Sequence, residues 1–245
     1  MGTGYSIKAK GPAVAEIYIY EDVGESWFGG VSAKQFAADL QALGVVSTIN
    51  VRLNSYGGDV FEGLAIYRLL ADHPATVVTF IDGIAASIAS VIAMAGNEIR
   101  IAEAGEIMIH DAWSVAIGPA SELRAVADRL DAVSSSIADV YAARTGQSKE
   151  QIQAWMAAET TFQSADAMEH GFAQSVVPNV KAAARQRPSA MHWRRMAPPS
   201  AQSVETTAIL RPLYDEKLQR VARQRARSLL AQPVRGRSSP SSAAP

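Results

Sequence analysis

In the stretch "AEIYIYEDVG", apolar and polar positions alternate with a period of two, which predicts a strand. The next stretch, "GGVSAKQFAADLQALG", changes period. Phe36, Leu40 and Leu43 fall on one helical face, Ser32 with Gln35 three residues later has the capping-box spacing, and Gly44 closes the helix. "STINVRLNS" reads as a second strand. In "GGDVFEGLAIYRLLADHP", two glycines precede Asp59 and Glu62, a second capping-box pair, and the helix stops before Pro74. "ATVVTFID" is a third strand, and the apolar run through Gly83–Gly96 a third helix. "EIRIA" and "EIMIH" are short strands separated by 103–105. Strands alternating with helices in this order predict an α/β domain with a mostly parallel sheet.

From Pro119 to Arg144 a long helix is predicted. Leu123, Val126, Leu130, Val133, Ile137 and Val140 recur at three- and four-residue spacing, so one stripe is to be buried, on this domain or on a neighbouring subunit. "SADAMEHGFAQSVVP" closes the body with a short helix, Gly171 and a last strand. Three regions are expected: a flexible arm over 1–12, a body over 13–179, and a tail over 180–245. The tail is rich in Ala, Arg, Pro, Ser and Gln and is expected to be mostly disordered, with an amphipathic helix over 212–232.

Charge sharpens that division. From residue 181 onward there are 13 basic and 3 acidic residues, a net of +10, so the acidic body carries −11. The tail is read as a solvated extension, with an acidic partner such as scaffold as the sharper alternative; nucleic acid is not expected as a partner. The absence of cysteine excludes disulfides, thiolate metal sites and a cysteine nucleophile. No apolar run reaches the ~20 residues of a spanning helix, and the first residues lack a signal-peptide profile. A cytoplasmic protein without a membrane partner is expected.

Three places carry candidate chemistry. Ser87, in "FIDGIAASIASVIAMAG", is expected one turn into a helix that follows a strand and a glycine turn; it is either a small packing residue or a nucleophile. "NSYGGD" (54–59) lies at a strand end and opens a helix. Gly57 and Gly58 there suit a tight turn, a close backbone approach or an oxyanion hole. His110 ends the run "EIMIH", at a strand end where ligand sites of α/β sheets gather. Asp111 would point away from it. Glu159, where the chain returns to the sheet, is the best candidate for an acid that orients the imidazole.

Taken together, "LNSYGGDVFEGLAIYRLL", "DGIAASIAS", "AGNEIRIAEAGEIMIHDAW" and "ETTFQSADAMEHG" resemble the Clp protease proteolytic subunit family, most nearly its phage and prophage head-maturation relatives, over about residues 14–178. The resemblance implies a crotonase-like spiral of βαβ units with a mostly parallel sheet and a long inserted helix. It implies a serine endopeptidase with Ser87 as nucleophile, His110 as general base and Glu159 as third member, Thr160 and Asp166 being fallbacks for that acid. The backbone N–H groups of Gly58 and Ile88 would form the oxyanion hole, and the strand at Gly57 would hold the peptide. No cofactor or metal is required.

The resemblance further implies homo-oligomeric rings, seven-fold or stacked seven-fold, and peptide substrates, with capsid or scaffold proteins cut inside a prohead. A housekeeping subunit served by an ATP-driven unfoldase is the alternative; no Gly-x-x-x-x-Gly-Lys-Ser/Thr phosphate loop is present. Three departures stand out: Tyr56 in the glycine turn, "DAW" after His110, and Glu rather than Asp at 159. The competing readings are a Ser-Lys signal peptide peptidase, which would need a lysine where none lies between Lys34 and Lys149, a crotonase-type acyl-CoA enzyme, and a catalytically silent ring protein.

Overall fold

The computed structural model describes residues 5–11, 13–24 and 30–179, all within the compact unit Met1–Arg185. The basic tail and its 212–232 helix lie outside the described residues.

Strands β1 (Tyr5–Ala9), β2 (Val14–Ile19), β3 (Thr48–Ser55), β4 (Thr76–Ala86), β5 (Glu98–Ala102) and β8 (Ser175–Val177) stand side by side in that order. All neighbours are parallel except β1 and β2. Two more strands, β6 (Glu106–Met108) and β7 (Thr161–Gln163), branch off: β6 runs parallel to β4 and antiparallel to β7. Helices α1 (Ala33–Ala42), α2 (Val60–Ala71), α3 (Ile88–Ala93), α4 (Ala120–Thr145), α5 (Lys149–Ala157) and α6 (Ser164–Glu169) fill the connections. This is the α/β class with a mostly parallel sheet and a long inserted helix that the sequence predicts.

The period-two pattern places Ile17 and Ile19 of β2, and Ile49, Val51 and Leu53 of β3, in the core with Phe36, Ile66 and Leu70 of the helices. On other sheet positions, Arg52 makes a bidentate pair with Asp82, which also accepts from the Tyr20 hydroxyl.

Four local expectations change. Residues 5–9, read as part of a flexible arm, form edge strand β1, because Tyr5 and Ile7 pack on the core. The third strand runs on to Ala86 rather than ending at Asp82. Its first half pairs with β5 through Val78–Ile81, and its second half pairs with β6 through Ile84–Ala86. The helix after it is correspondingly short. Thirdly, the capping boxes are half-formed. Asp59 does accept from the N–H groups of Phe61 and Glu62, but the Glu62 carboxylate accepts from the Ala33 N–H at the start of α1, at 2.5 Å. The Gln35 amide likewise turns to Asp39. Lastly, "EIMIH" ends as a strand at Met108, short of His110.

Candidate active site

Ser87 is the N-cap of α3, not a residue one turn inside it. The strand-to-helix turn is sharp there: Ser87 has φ 55° and ψ −131°, a conformation that costs a residue with a Cβ on the order of 1–3 kcal/mol. Its own N–H donates to the Met108 carbonyl of β6 at 2.9 Å. The side chain of Ser87 is partly exposed at this turn.

The glycine turn lies against it. A Cβ built on Gly57 would stand 2.8 Å from the Ser87 Cβ and 3.1 Å from the Ile88 nitrogen, so this turn is glycine because the Ser87–Ile88 backbone passes there. Gly57 has φ 93° and Gly58 φ 151°. The turn is fixed from outside by Val23: the Val23 N–H donates to the Gly57 carbonyl at 2.8 Å, and the Asp59 N–H donates to the Val23 carbonyl at 2.9 Å. The Ser55 hydroxyl braces it from within, donating to the Glu21 carbonyl and accepting from the Gly57 N–H. Ile88, the first residue of α3, has an N–H without an acceptor inside the helix.

His110 follows the strand beside Ser87. The β4–β6 register pairs Ala86 with Met108, so Ser87 and His110 leave adjacent strand ends one and two residues further on. Its Nδ1 lies 2.6 Å from the Asp111 carbonyl oxygen. A carbonyl can only accept, so Nδ1 is the donor of this contact, and Nε2 is the nitrogen left to act as a base when the ring is neutral. The Asp111 side chain plays no part in this contact; its backbone does, which sequence alternation does not reveal.

Glu159 is exposed and has φ 50°. It ends α5: its N–H donates to the Met156 carbonyl, and the Thr160 N–H reaches back to the Trp155 carbonyl, the pattern of a helix that closes on a left-handed residue. The Ile109 N–H donates to the Thr160 carbonyl. This continues the β6–β7 pairing, in which Met108 faces Thr161, by one bond, so the segments that carry His110 and Glu159 run next to each other. The structure brings these two segments together while the imidazole Nδ1 stays on Asp111. Of the fallbacks, the Thr160 hydroxyl donates to the Trp155 carbonyl, and Asp166 is an exposed residue of α6.

Sequence reasoning missed the supporting residues. Gly63 of α2 leaves room for the Ile88 side chain. The Ser90 hydroxyl donates to the Ser87 carbonyl at 2.6 Å and lies 2.7 Å from the Tyr141 hydroxyl of α4. Ser90 is a polar residue inside an apolar run and Tyr141 falls four residues after Ile137 in the α4 stripe, but nothing local links them.

A strained serine, a histidine two residues past the end of the neighbouring strand and a glycine turn beside the serine are the kinds of group a serine hydrolase uses. The profile of the Clp protease family matches residues 15–180. The chain is 32% identical over 133 residues to the ATP-dependent Clp protease proteolytic subunit 2 of Thermobifida fusca, covering 54% of this chain and 66% of that one. It is 32% identical over 135 residues to the ATP-dependent Clp protease proteolytic subunit of Ligilactobacillus salivarius, covering 54% and 68%. The chain thus spans about two thirds of the length of the curated relatives it matches. It belongs to the Clp protease family, a family of serine-type peptidases. Among the described residues, no helix is long and apolar enough to cross a membrane.

Proposed function

We propose that this chain is a serine endopeptidase in which Ser87 attacks the peptide carbonyl, His110 takes its proton through Nε2, and the N–H groups of Gly58 and Ile88 stabilise the oxyanion. The observation that carries the reading is the strained backbone of Ser87 beside Gly57, which a packing serine has no need of. His110 then protonates the leaving amine and water releases the acyl-enzyme. Glu159 is the acid that completes the triad once the His110 Nδ1–H turns from the Asp111 carbonyl to its carboxylate. The peptide lies extended beside Gly57.

The substrates we propose are capsid or scaffold proteins cut during phage head maturation, by a homo-oligomeric ring in which α4 makes contacts between subunits. The tail over 180–245 is a basic extension of the 13–179 peptidase body. A second reading has one observation in its favour: the similar proteins from Thermobifida fusca and Ligilactobacillus salivarius are named as ATP-dependent. In that reading the ring works with a separate unfoldase.

Intact mass after exposure to a fluorophosphonate tests the chemistry. Wild type gains one adduct and Ser87→Ala gains none; equal behaviour of the two sinks the peptidase reading. Cleavage of unfolded scaffold protein without any ATPase supports the first substrate reading, and cleavage only in the presence of an unfoldase and ATP supports the second.

A further inference from the structure

The carbonyl of Ser87 and the N–H of Ile88 belong to one peptide group. That group is planar and trans, so whatever fixes the carbonyl also aims the N–H in the opposite direction. The Ser87 carbonyl accepts two hydrogen bonds, from the Ser90 N–H at 3.0 Å and from the Ser90 hydroxyl at 2.6 Å. Behind Ser90 stands the Tyr141 hydroxyl at 2.7 Å.

The direction of the protons follows from the partners. The Ser87 carbonyl has none to give, so the single Ser90 proton goes to it. The Tyr141 hydroxyl must therefore donate to Ser90 Oγ. Both hydroxyls are sealed from water, Ser90 at 0% and Tyr141 at 1% exposure. Burial pushes the Tyr141 hydroxyl far above the ordinary tyrosine range, so it stays a donor. The ring is held edge-on by Phe172, with centroids 5.8 Å apart. Two hydroxyls in series polarise one another, and this series ends on a peptide whose N–H faces the other way, on the side of Gly57.

We propose that Ser90 and Tyr141 are positioning residues that aim and polarise the Ile88 N–H, the oxyanion donor. This role rests on the reading of Ser87 as a nucleophile. A buried serine–tyrosine pair kept only for packing would satisfy itself. Here the serine spends its one proton on the peptide of the strained turn, and α4, 51 residues away in the chain, secures it. An interaction that strengthens only as the oxyanion forms acts on kcat and leaves KM alone.

The test compares wild type with Ser90→Ala, Tyr141→Phe and the double variant, reading kcat and KM on a fluorogenic peptide, fluorophosphonate labelling rate and Tm. Ser90→Ala lowers kcat and labelling by about tenfold with KM unchanged, less than the 10²–10³ that follows loss of a whole oxyanion donor. It also lowers Tm, because the Tyr141 hydroxyl is left buried without an acceptor. Tyr141→Phe keeps the Ser90 proton on the Ser87 carbonyl and lowers kcat by about threefold. The double variant replaces both partners with apolar groups and so recovers Tm, but its kcat stays low.

Recovery of kcat together with Tm in the double variant overturns the positioning role, as does full activity in all three variants beside an active wild type. If the wild type neither turns over nor labels, the peptidase reading falls and the positioning role falls with it; an active wild type tells the two failures apart.

Discussion

Ser87 and Glu159 are the two non-glycine residues with positive φ among the described residues, and they have different reasons for it. Ser87 joins a strand to a helix at a sharp turn. Glu159 sits just past α5, where glycine is the usual residue because a Cβ is penalised in the left-handed region. Keeping a glutamate there sacrifices stability, which is understandable if its carboxylate works. Glu159→Gly should therefore stabilise the fold by about 0.5–1 kcal/mol, seen as a higher Tm, and lower kcat by at least about tenfold. A stabler variant with full turnover would make Glu159 a helix terminator only. Gly57→Ala tests the opposite side of the site. Its methyl would stand 2.7 Å from the Ala86 carbonyl and 2.8 Å from the Ser87 Cβ, at φ 93°, so fluorophosphonate labelling should fall by more than about a hundredfold, the size of losing an oxyanion donor. Wild-type labelling in that variant would mean that the turn yields and the oxyanion geometry proposed for it is wrong. Ser87, His110, Gly57, Gly58 and Glu159 all stand out in the sequence because their residue types are chemically marked. Ser90 and Tyr141 do not, because their meaning lies in a contact across 51 positions.

Elements were legible where a periodic pattern was long and obscure where it was not. The strand–helix alternation of β2, α1, β3 and α2 shows in the spacing of Ile17, Phe36, Leu40, Val51 and Ile66, all core residues. The junction of β4 and α3 does not show, because "IAASIASVIA" is apolar at nearly every position and buried segments have no contrast between faces. What ends β4 at Ala86 is its pairing with β6, a tertiary fact. Glu62 makes the same point: its spacing from Asp59 suggests a local cap, yet its carboxylate ties α2 to the Ala33 N–H of α1. Glu62→Gln should cost about 1 kcal/mol in urea unfolding, as a charge-assisted bond becomes a neutral one; an unchanged midpoint would show the tie to be dispensable. Glu16 of β2 offers a pH test. Burial pushes its carboxyl up, but hydrogen bonds from the Lys10 ammonium and the Tyr18 hydroxyl outweigh this and hold it below the ordinary carboxylate range. A carboxyl depressed in the fold contributes stability above its unfolded pKa, and that contribution is lost as pH falls through the folded value. Glu16→Gln should thus be less stable than wild type at pH 7, with the two converging below about pH 4. A stability gap that persists in acid would assign the effect to packing.

At the scale of the molecule, α4 is longer than its domain can use. Its 26 residues span about 39 Å at 1.5 Å per residue, yet only Ile137, Ala138 and Tyr141, all in the second half, are buried. The apolar stripe continues past the domain: Val126 and Leu130 are half-buried and Leu123 is exposed. The segment before the helix adds Trp113, Val115 and Ile117, each exposed. The first half of the helix buries no side chain fully, whereas most helix stability comes from a buried apolar face. The same helix carries Tyr141 to the Ser90 hydroxyl, which holds the Ser87 carbonyl, so a force that orders α4 also bears on the proposed site. Second copies of the chain are the cover that the proposed ring supplies. Leu123→Asp, a change at an exposed position with little role in the isolated fold, should shift the particle mass from oligomer toward monomer in sedimentation. It should reduce labelling of Ser87 in proportion to the oligomer lost. If particle mass stays at the wild-type value, that part of the stripe lies outside the subunit contact. If mass falls while labelling per chain stays constant, α4 builds the ring without tuning the nucleophile, and Tyr141 serves a site already complete in the single chain.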